Sequence, residues 1–549
     1  MRRLLVLTAA LALGTPGTAA AGSFAVGVGD ASSVDAVSAR LAGLTRAPVG
    51  RDPDLGVLYV RTSKPGRIAR IPGVTFVERL SSRRLAFVPN DPLATRQWYL
   101  NQIHAFDFWP QFPILPTIRV AVIDSGIDRK HPEFQGRIVA RKSFVSKTTV
   151  DTQGHGTFVA GEIAAATNNG VGIAGIGIPV QLMIAKVVRK DGTIPLKAEA
   201  SAIRWAVNKG ARVINLSLAG LRDPLDKRRD TFSPLEAAAI RYAVEKHVVV
   251  VAAVGNSDQA PRSPWNFAGY PASLPHVIGV SALTPSGNVP EFSNRDAYFN
   301  DVAAPGADIF STLPLALTAP SIGDCPDQGY SDCGPYDFRR AEGTSFAAPM
   351  VSAAAALVLS LRLGLSGDQV ATILQRSADD VSSSTGCRAC PAGHDRLSGS
   401  GRLDIAAAEA VTIAGTFPRS DVREPNDDAG PLASTLWNGA GGTINATFDF
   451  WDDPIDVYRI HLRKGQRLTL SLKGPAGTDS SLALWRPGTK TVLDLSPAAQ
   501  KMRVAQSLRR GSTERISRYR AKIGGWYFIE ARMVSKGYGA YTLTYLRKG

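Results

Sequence analysis

The segment Ile118-Arg119-Val120-Ala121-Val122-Ile123-Asp124-Ser125-Gly126 holds a short apolar run that ends in an aspartate. Four more apolar runs follow along the chain, and three stretches with the apolar spacing of a helix lie between them. The predicted strands are 118–123, 182–188, 212–218, 248–254 and 277–282, and the predicted helices are 155–166, 198–209 and 235–247. Short buried strands that alternate with helices predict an α/β domain, a mostly parallel sheet with helices on both faces.

Three polar side chains stand at the ends of predicted elements. Asp124 follows the first strand, His155 begins a helix within Gly154-His155-Gly156-Thr157, and Ser345 begins another within Gly343-Thr344-Ser345. Alone, each has an ordinary explanation as a turn or cap residue. Together they fit nucleophilic catalysis, because a serine hydroxyl needs an imidazole to remove its proton and the imidazole needs a carboxylate to orient it. We expect them to meet beyond the carboxyl ends of the strands.

In the chain order Asp124, His155, Ser345, these strings resemble the three signatures of subtilisin-like serine proteases. The resemblance covers residues 90–411 and implies a serine endopeptidase with Ser345 as nucleophile, His155 as base and Asp124 as its orienting acid. It extends to Ala252-Ala253-Val254-Gly255-Asn256, where the family carries the side-chain donor of the oxyanion hole. In this chain that donor would be Asn256.

Two segments resemble the family's substrate-binding elements. Ser217, Leu218, Ala219 and Gly220 correspond to the edge strand that pairs with an extended protein or peptide substrate. The family usually has glycine at the position of Ala219, so its methyl group is expected to narrow the groove wall. Gly269 corresponds to the floor of the pocket for the residue before the scissile bond. A glycine floor implies a preference for bulky uncharged side chains.

The resemblance also implies a structural calcium site and no catalytic metal. The loop 167–173 is similar to the family's calcium loop, and hard oxygen ligands of this mixed kind suit Ca²⁺. The expected ligands are Gln97, Glu133, Thr167, Asn169, Val171 and Ile173. The family usually has aspartate where Glu133 stands, and an ordinary Asn-Gly turn is the alternative for the loop.

The N-terminus has the pattern of a secretory signal peptide, predicted to span 1–21. Arg2 and Arg3 precede an apolar run of about ten residues, too short for a bilayer that needs about twenty, and Ala19-Ala20-Ala21 is a small-residue cleavage site. We therefore expect a secreted, extracellular protein without a transmembrane segment. That location favours disulfides among the four cysteines, which allow three pairings. The simplest is Cys325 with Cys333 and Cys387 with Cys390, and the alternative is a zinc site that uses all four cysteines, or three with His394.

Two smaller modules are predicted to flank a catalytic domain at 90–412. Residues 22–89 hold strands at 24–28, 57–60, 74–77 and 85–88 and a helix at 34–44, and they resemble the family's propeptide, which assists folding and inhibits the zymogen. A linker at 413–431 precedes 432–549, where strands at 456–462, 467–472, 482–485, 525–531 and 540–546 predict an all-β sandwich. From Glu424-Pro425-Asn426-Asp427 onward this module resembles the pre-peptidase-type β-sandwich found behind bacterial secreted peptidases.

The charge of the chain is unevenly distributed. The 549 residues carry a formal net charge of +16 with 44% hydrophobic and 20% charged residues, which excludes a small disulfide scaffold and a wholly disordered chain. Residues 413–549 hold 21 Lys+Arg against 12 Asp+Glu. Because aromatic residues do not interleave with these basic residues, we expect no nucleic acid partner. A solvated basic face and docking on an anionic surface both stay open, and we expect a monomer.

Two other functions fit parts of the sequence. An α/β-hydrolase esterase would use Ser345 as nucleophile and His394 as base, with Asp379 or Asp380 as acid. However, Ala347 stands where its G-x-S-x-G motif has glycine, and the Gly-His-Gly-Thr string would have no role. The other is an inactive, subtilisin-shaped binding module.

Overall fold

The computed structural model describes residues 22–45, 48–80, 87–317, 338–383, 385–415, 417, 422–437, 439–493 and 497–549. The predicted signal peptide and the pair Cys325 and Cys333 lie outside these ranges. The chain divides into two compact units, 1–84 and 85–549.

The first unit is a small α+β module. Its elements are β1 Gly22–Val28, β2 Gly50–Asp52, β3 Val57–Thr62, β4 Val74–Arg79, α1 Val34–Thr45 and α2 Pro65–Ile68. The strands form an antiparallel sheet in the order β2-β3-β1-β4. Val37 and Leu41, one turn apart on α1, pack with Val26, Leu58 and Val60 of the sheet.

The strand predicted at 85–88 is wrong for the two of its residues that the structure describes. Phe87 and Val88 are not in a strand. Phe87 instead belongs to the second unit, where its ring lies 5.6 Å from that of Phe106.

The second unit begins with a large α/β region. Its strands are β5 Ile118–Asp124, β6 Ile138–Ser143, β7 Val180–Lys186, β8 Val213–Leu216, β9 Val249–Ala253, β10 Val277–Leu283, β11 Val302–Pro305, β12 Ile309–Thr312 and β13 Phe338–Ala341. Its helices are α3 Tyr99–Gln102, α4 His155–Ala164, α5 Leu196–Asn208, α6 Pro234–Glu245, α7 Thr344–Leu361, α8 Gly367–Ser377 and α9 Ile405–Ala414. Seven strands form a parallel sheet in the order β11-β10-β9-β8-β5-β7-β6, which confirms the predicted fold class.

Helices cover both faces of this sheet. On β5, Val120 and Val122 pack in the core that contains α4 and α7, whereas Ala121 and Ile123 pack in the core that contains α5 and α6. The sheet grows from β5 toward β7 on one side and toward β8 on the other, so its topological switch point lies between β5 and β8. Asp124 ends one of these strands and Ser217 follows the other.

Helix α7 crosses the centre of this region. Its 18 residues are apolar enough to span a membrane by length and composition, but 89% of the segment is buried inside the protein. The helix is therefore a central part of the core of the α/β region, where it packs with α4 and the sheet.

The chain ends in a β-sandwich. Its elements are β14 Ser434–Thr435, β15 Gly441–Asp449, β16 Ile455–Leu462, β17 Arg467–Lys473, β18 Ser480–Trp485, α10 Pro497–Gln500, β19 Arg503–Ser507, β20 Thr513–Arg520, β21 Gly525–Met533 and β22 Tyr538–Lys548. Two sheets, β14-β16-β21-β18-β19 and β15-β22-β17-β20, enclose one apolar core. All five predicted strands of this module are present. They could be predicted because apolar residues that point into the core alternate with more exposed residues along the strands.

The sandwich packs on the α/β region. Thr372 Oγ1 of α8 donates to Asp449 Oδ2 at 3.0 Å, and the Arg376 guanidinium lies 5.4 Å from the Trp451 ring. Part of the predicted linker is buried here, because Asn426 has no exposed surface. The segment is thus a structural component of the junction.

Candidate active site

Asp124 and His155 meet beyond the end of β5. Asp124 is the last residue of β5, His155 is the first residue of α4, and His155 Nδ1 lies 2.9 Å from both carboxylate oxygens of Asp124. The close approach depends on glycine, since a Cβ on Gly156 would lie 2.4 Å from the carbonyl oxygen of Gly126. The aspartate thereby orients the imidazole.

A second aspartate stabilises the pairing of Asp124 with His155. It was not among the residues predicted from the sequence. Asp151 is buried, and its carboxylate accepts hydrogen bonds from Ser125 Oγ, from the N–H groups of Gln153 and Gly154, and from the N–H and hydroxyl of Thr157. An acidic residue just before a helix N-terminus was the available signal. Asp151 ties the turn after β5 to the first turn of α4.

Charge in the site favours a protonated imidazole. Burial lowers the pKa of His155, but the charge of Asp124, its hydrogen bond and the charge of Asp151 outweigh burial, so the pKa is raised above its ordinary value. Lys186, at the end of β7, donates to the carbonyls of Ser125 and Val150, and burial lowers its pKa.

Ser345 enters from α7, as its second residue. Its hydroxyl donates to the carbonyl oxygen of Ser217 at 3.3 Å, while the Ser217 hydroxyl donates to the carbonyl of Ser345 at 2.6 Å. The start of α7 is therefore fastened to the segment that follows β8, the other strand of the switch point.

Asn256 follows β9 with its side chain fixed by Thr344. Its Oδ1 accepts from the N–H of Thr344 at 3.0 Å and from the Thr344 hydroxyl at 2.9 Å. A Cβ on Gly343 would lie 3.3 Å from Asn256 Nδ2. With its oxygen held, the amide presents its N–H groups beside the backbone that leads to Ser345.

All four of these residues line one cleft. Asp124, His155, Asn256 and Ser345 share a cavity of about 640 Å³ with the predicted edge segment Ser217, Leu218, Ala219 and Gly220. The structure thus brings together the predicted catalytic residues and the predicted edge strand.

Gly269 lies behind that edge segment. Its N–H donates to Val254, and a Cβ added to it would lie 2.5 Å from the carbonyl oxygen of Gly220 and 3.2 Å from the Ala219 methyl group. A Cβ on Gly255 would lie 3.0 Å from the same methyl group. The Ala219 methyl therefore occupies space between two glycines, on the side of the cleft where the pocket was predicted.

The predicted calcium ligands also gather around one loop. Glu133 is wholly buried, and its Oε1 accepts from the N–H of Ile173 at 2.8 Å. Its Oε2 lies beside the Asn169 amide and has no hydrogen bond of ordinary geometry in the described ranges. Burial raises the pKa of Glu133 to about 7, with a further contribution from the charge of Asp91.

Asp91 is a nearby acid that was not among the predicted calcium ligands. Its buried carboxylate accepts from the N–H groups of Asn168 and Asn169. Gln97 is less available than predicted, since its Oε1 accepts from Ala174 and its Nε2 donates to the Ala174 carbonyl and the Tyr99 hydroxyl.

The residues of the rival hypotheses lie elsewhere. The His394 ring contacts Phe450 of the sandwich at 6.2 Å, and Asp379 pairs with Arg402 at 2.9 Å, so the esterase triad is not assembled. Cys387 and Cys390 form a disulfide, as predicted, which excludes them as zinc ligands.

The α/β region is similar in sequence to known proteases. A model of the Subtilase family matches residues 116–401. The chain is similar to Thermitase of Thermoactinomyces vulgaris, 31% identical over 54% of this chain and 93% of that protein, and to Subtilisin DY of Bacillus licheniformis, 35% identical over 49% and 86%. A solved structure of a protease from Pseudoalteromonas arctica aligns with 59% of this chain and 100% of its own at 26% identity, with a TM-score of 0.47.

Proposed function

Because the chain belongs to the subtilase family and is a serine endopeptidase, we propose that Asp124, His155 and Ser345 are its catalytic triad and that Asn256 completes its oxyanion hole. The observation that carries this proposal is the pairing of His155 Nδ1 with both oxygens of Asp124 in a cleft that Ser345 and Asn256 also line.

In the first step the Ser345 hydroxyl turns from the carbonyl of Ser217 toward His155 Nε2. His155 takes the proton as Oγ attacks the scissile carbonyl, and Asp124 stabilises the imidazolium that forms. His155 then gives the proton to the leaving amine, which departs and leaves an acyl group on Ser345. Water, activated by His155 in the same way, releases the acyl group and restores the hydroxyl.

Asn256 acts on the charge that develops on the carbonyl oxygen. Its Nδ2 donates to the oxyanion, and Thr344 holds the amide in place before the reaction starts, so little reorganisation is needed. The backbone N–H of Ser345, in the first turn of α7 where the helix offers it no acceptor, supplies a further donor.

The substrate is proposed to add an extended strand along Ser217 to Gly220. Gly220 already pairs with Tyr270 through two backbone hydrogen bonds on one side, at 2.7 and 2.9 Å. Main-chain pairing on the other side would place the scissile bond of a protein or peptide at Ser345.

Residues 22–89 are proposed as a propeptide that inhibits the zymogen, and 1–21 as a signal for secretion. A protease made with its triad complete needs restraint until it leaves the cell. We expect Ser345→Ala to fold and keep 22–89, because it lacks the nucleophile for self-cleavage. A mature N-terminus in that variant, made without other proteases, would contradict autoprocessing.

A Ca²⁺ ion is proposed to stabilise the loop after α4. The buried Glu133 carboxylate and its uncompensated oxygen fit a cation, and Asn169 with carbonyls of Thr167, Val171 and Ile173 would add oxygen ligands. Bound calcium would supply positive charge that offsets the buried Glu133 carboxylate and the nearby charge of Asp91. Gln97 would contribute only if its bond to Ala174 were exchanged for the ion.

A fluorophosphonate that labels reactive serines tests the triad. We expect the mature protein to be labelled at Ser345 and His155→Ala to lose both labelling and peptidase activity. The matched control is His394→Ala, which removes a histidine outside the cleft and should keep both. Labelling that survives in His155→Ala and fails in His394→Ala would refute the assignment.

A further inference from the structure

One sheet of the sandwich has a polar face that points away from the apolar core. On β17, Leu468, Leu470 and Leu472 lie in that core, so the residues that alternate with them point outward. The outward positions of β17 and of its neighbours β22 and β20 carry cations and small hydroxyl side chains. We call this surface the cationic face, and its exposed cations are Arg467, Lys473, Arg515, Arg520 and Lys548.

Three of these cations stand side by side. Arg467 is directly opposite Lys548 of β22 on one side and directly opposite Arg520 of β20 on the other. Neighbouring strands lie about 4.8 Å apart, so three positive charges share one row across the sheet. Like charges at directly opposed positions destabilise a sheet. A partner of opposite charge would remove that cost.

The chain supplies no exposed acid on the strands of this sheet. The acidic residues of β15, β17, β20 and β22 are Asp449 and Glu514, and both are buried. Asp449 accepts from Thr372 of α8, and Glu514 accepts from the N–H of Arg509. Within the described ranges, the cations of the cationic face form no ion pair. Their charge is therefore available to a partner.

Protection of a sheet edge does not explain the whole set. β20 is an edge strand, and basic residues on an edge strand discourage pairing with other chains. This accounts for Arg515 and Arg520. Arg467, Lys473 and Lys548 instead lie on β17 and β22, which are paired with a strand on both sides. Their positive charge needs another explanation.

The side chains between the cations can donate and accept hydrogen bonds. Thr469 and Ser471 lie between the two basic ends of β17, and Thr544 is directly opposite Ser471. The register places no aromatic ring between the cations, so this face cannot stack nucleic acid bases. Leu546 is an exposed apolar side chain on the same face, and one leucine is too little to enter a bilayer. Hydroxyl groups among cations suit a ligand that has both hydroxyl and acidic groups.

We propose that the cationic face binds a linear polysaccharide that carries carboxylate groups. Arginine forms paired, charge-assisted hydrogen bonds with a carboxylate, and serine and threonine hydroxyls match the hydroxyl groups of sugar rings. Six residues of strand separate Arg467 from Lys473, which is about 20 Å. A face of this length suits an extended polymer better than a small anion.

The other end of the same sheet holds the protease. β22 begins at Tyr538, whose ring lies 5.5 Å from the Arg376 guanidinium of α8, and it ends at Lys548. Ten residues of extended strand cover about 33 Å, so the row of three cations lies well away from this junction. A polymer bound at the row would tether the protease without disturbing the junction.

Binding of hyaluronan tests the proposal in the full chain. Hyaluronan is a linear polymer in which a uronate alternates with a neutral sugar. The parent carries Ser345→Ala, which prevents self-digestion and makes the readout independent of activity. We expect saturable binding in isothermal titration calorimetry at low salt, weaker binding as salt is raised, and no binding of dextran, a neutral polymer, at matched length. A parent that does not bind hyaluronan overturns the proposal.

Paired substitutions locate the surface. Arg467→Gln with Arg520→Gln leaves one cation in the row and should weaken hyaluronan binding at least about tenfold, because two charge-assisted hydrogen bonds are lost. The matched control is Arg241→Gln with Lys246→Gln, which removes the same charge from exposed positions on and beside α6 and should leave binding unchanged. Equal losses in the two variants would mean that the polymer responds only to net charge, and would refute the surface.

Circular dichroism verifies that both variants fold. If the first does not, Lys473→Gln with Lys548→Gln takes its place, with the same expected loss. Binding as tight as that of the parent in the folded variant would refute the assignment.

Two other polyanions distinguish a polysaccharide from negative charge in general. Single-stranded DNA and vesicles that contain phosphatidylglycerol are negatively charged but have no carboxylated sugar. We expect both to bind the parent more weakly than hyaluronan at equal salt and equal concentration of charge. Tighter binding of either one, lost in Arg467→Gln with Arg520→Gln, would identify that class of partner instead and refute the polysaccharide.

Discussion

At the residue scale, the proposed triad is held by side chains that are not themselves expected to touch the substrate. Asp151 collects hydrogen bonds from the turn after Asp124 and from the start of α4, and Thr344 holds the amide of Asn256. Both are positioning residues. They fix geometry before the substrate arrives, which is the condition for electrostatic stabilisation of a transition state.

Asp124→Asn tests the coupling between the aspartate and the histidine. We expect kcat to fall by about 10⁴, the loss typical when the orienting acid of a triad is neutralised. Activity requires neutral His155, and Asp124 raises the pKa of His155, so the acid limb of the kcat/KM profile should also move to lower pH. Asp258→Asn, in the same cleft, is the control and should change neither.

Asn256→Ala tests the oxyanion hole. We expect kcat to fall by about 10²–10³ with KM nearly unchanged, the range found when this donor is removed from subtilisin. Thr344→Val keeps the amide but loses one of its two hydrogen bonds, so its loss should be smaller. Equal losses in KM and kcat would argue against a role confined to the transition state.

Ala219→Gly tests the pocket. The methyl group lies between Gly255 and Gly269, so its removal should admit larger side chains before the scissile bond. We expect the ratio of kcat/KM for Phe over Ala substrates to rise about tenfold, the effect of one methylene in an apolar pocket. An unchanged ratio would place the specificity pocket elsewhere.

Short sequence motifs predicted Asp124, His155, Asn256 and Ser345 as site residues. This was possible because each residue stands beside the end of the strand or helix that positions it. Asp151 was not predicted, since its partners belong to the folded turn.

At the element scale, helices α5 and α6 share an acidic contact. Glu199 and Glu236 are buried and hydrogen-bonded to each other. Burial raises the pKa of both, and for Glu199 the charge of Glu236 raises it further. The two carboxyl groups therefore hold a proton between the helices at a pH where exposed carboxyl groups are ionised.

Glu199→Gln is expected to stabilise the protein at neutral pH by on the order of 1 kcal/mol. The folded state binds more protons than the unfolded state above the ordinary pKa of 4.5, so the free energy of unfolding of the parent falls as pH rises through that range. The gain should vanish below about pH 4. Denaturation of the Ser345→Ala chain measures it, with the exposed Glu245→Gln on α6 as control.

The observed strands differ from the predicted ones at the edge of the sheet and beside the cleft. β6 was missed because Val139 and Arg141 alternate with partly buried neighbours at the sheet edge, which gives no continuous apolar run. β8 ends at Leu216, two residues before the prediction, because Ser217 and Leu218 turn to line the cleft. Apolar runs locate central strands better than edges.

At the scale of the whole molecule, the sandwich is part of the folded enzyme. Thr372 reaches Asp449, and Arg376 lies over Trp451 and Tyr538. Its strands β17 and β20 also carry exposed arginines and lysines, among them Arg467, Lys473, Arg515 and Arg520. Docking of this face on an anionic surface stays a prediction.

Thr372→Val should loosen the sandwich. The change leaves a buried acceptor on Asp449 without its donor, a cost of about 1–3 kcal/mol. We expect limited proteolysis of the Ser345→Ala chain to release the sandwich several times faster. Thr412→Val is the control, because that buried hydroxyl bonds only within its own helix. Equal rates in the two variants would mean that the junction does not depend on this contact.

The burial of α7 determines how the enzyme loses activity in solution. Because this apolar helix carries Ser345 and fills the centre of the α/β region, it cannot open without unfolding the whole region. Unfolded molecules are extended chains, and folded molecules digest extended chains. Inactivation should therefore accelerate with concentration, and the working lifetime of the enzyme is set by encounters between its own copies.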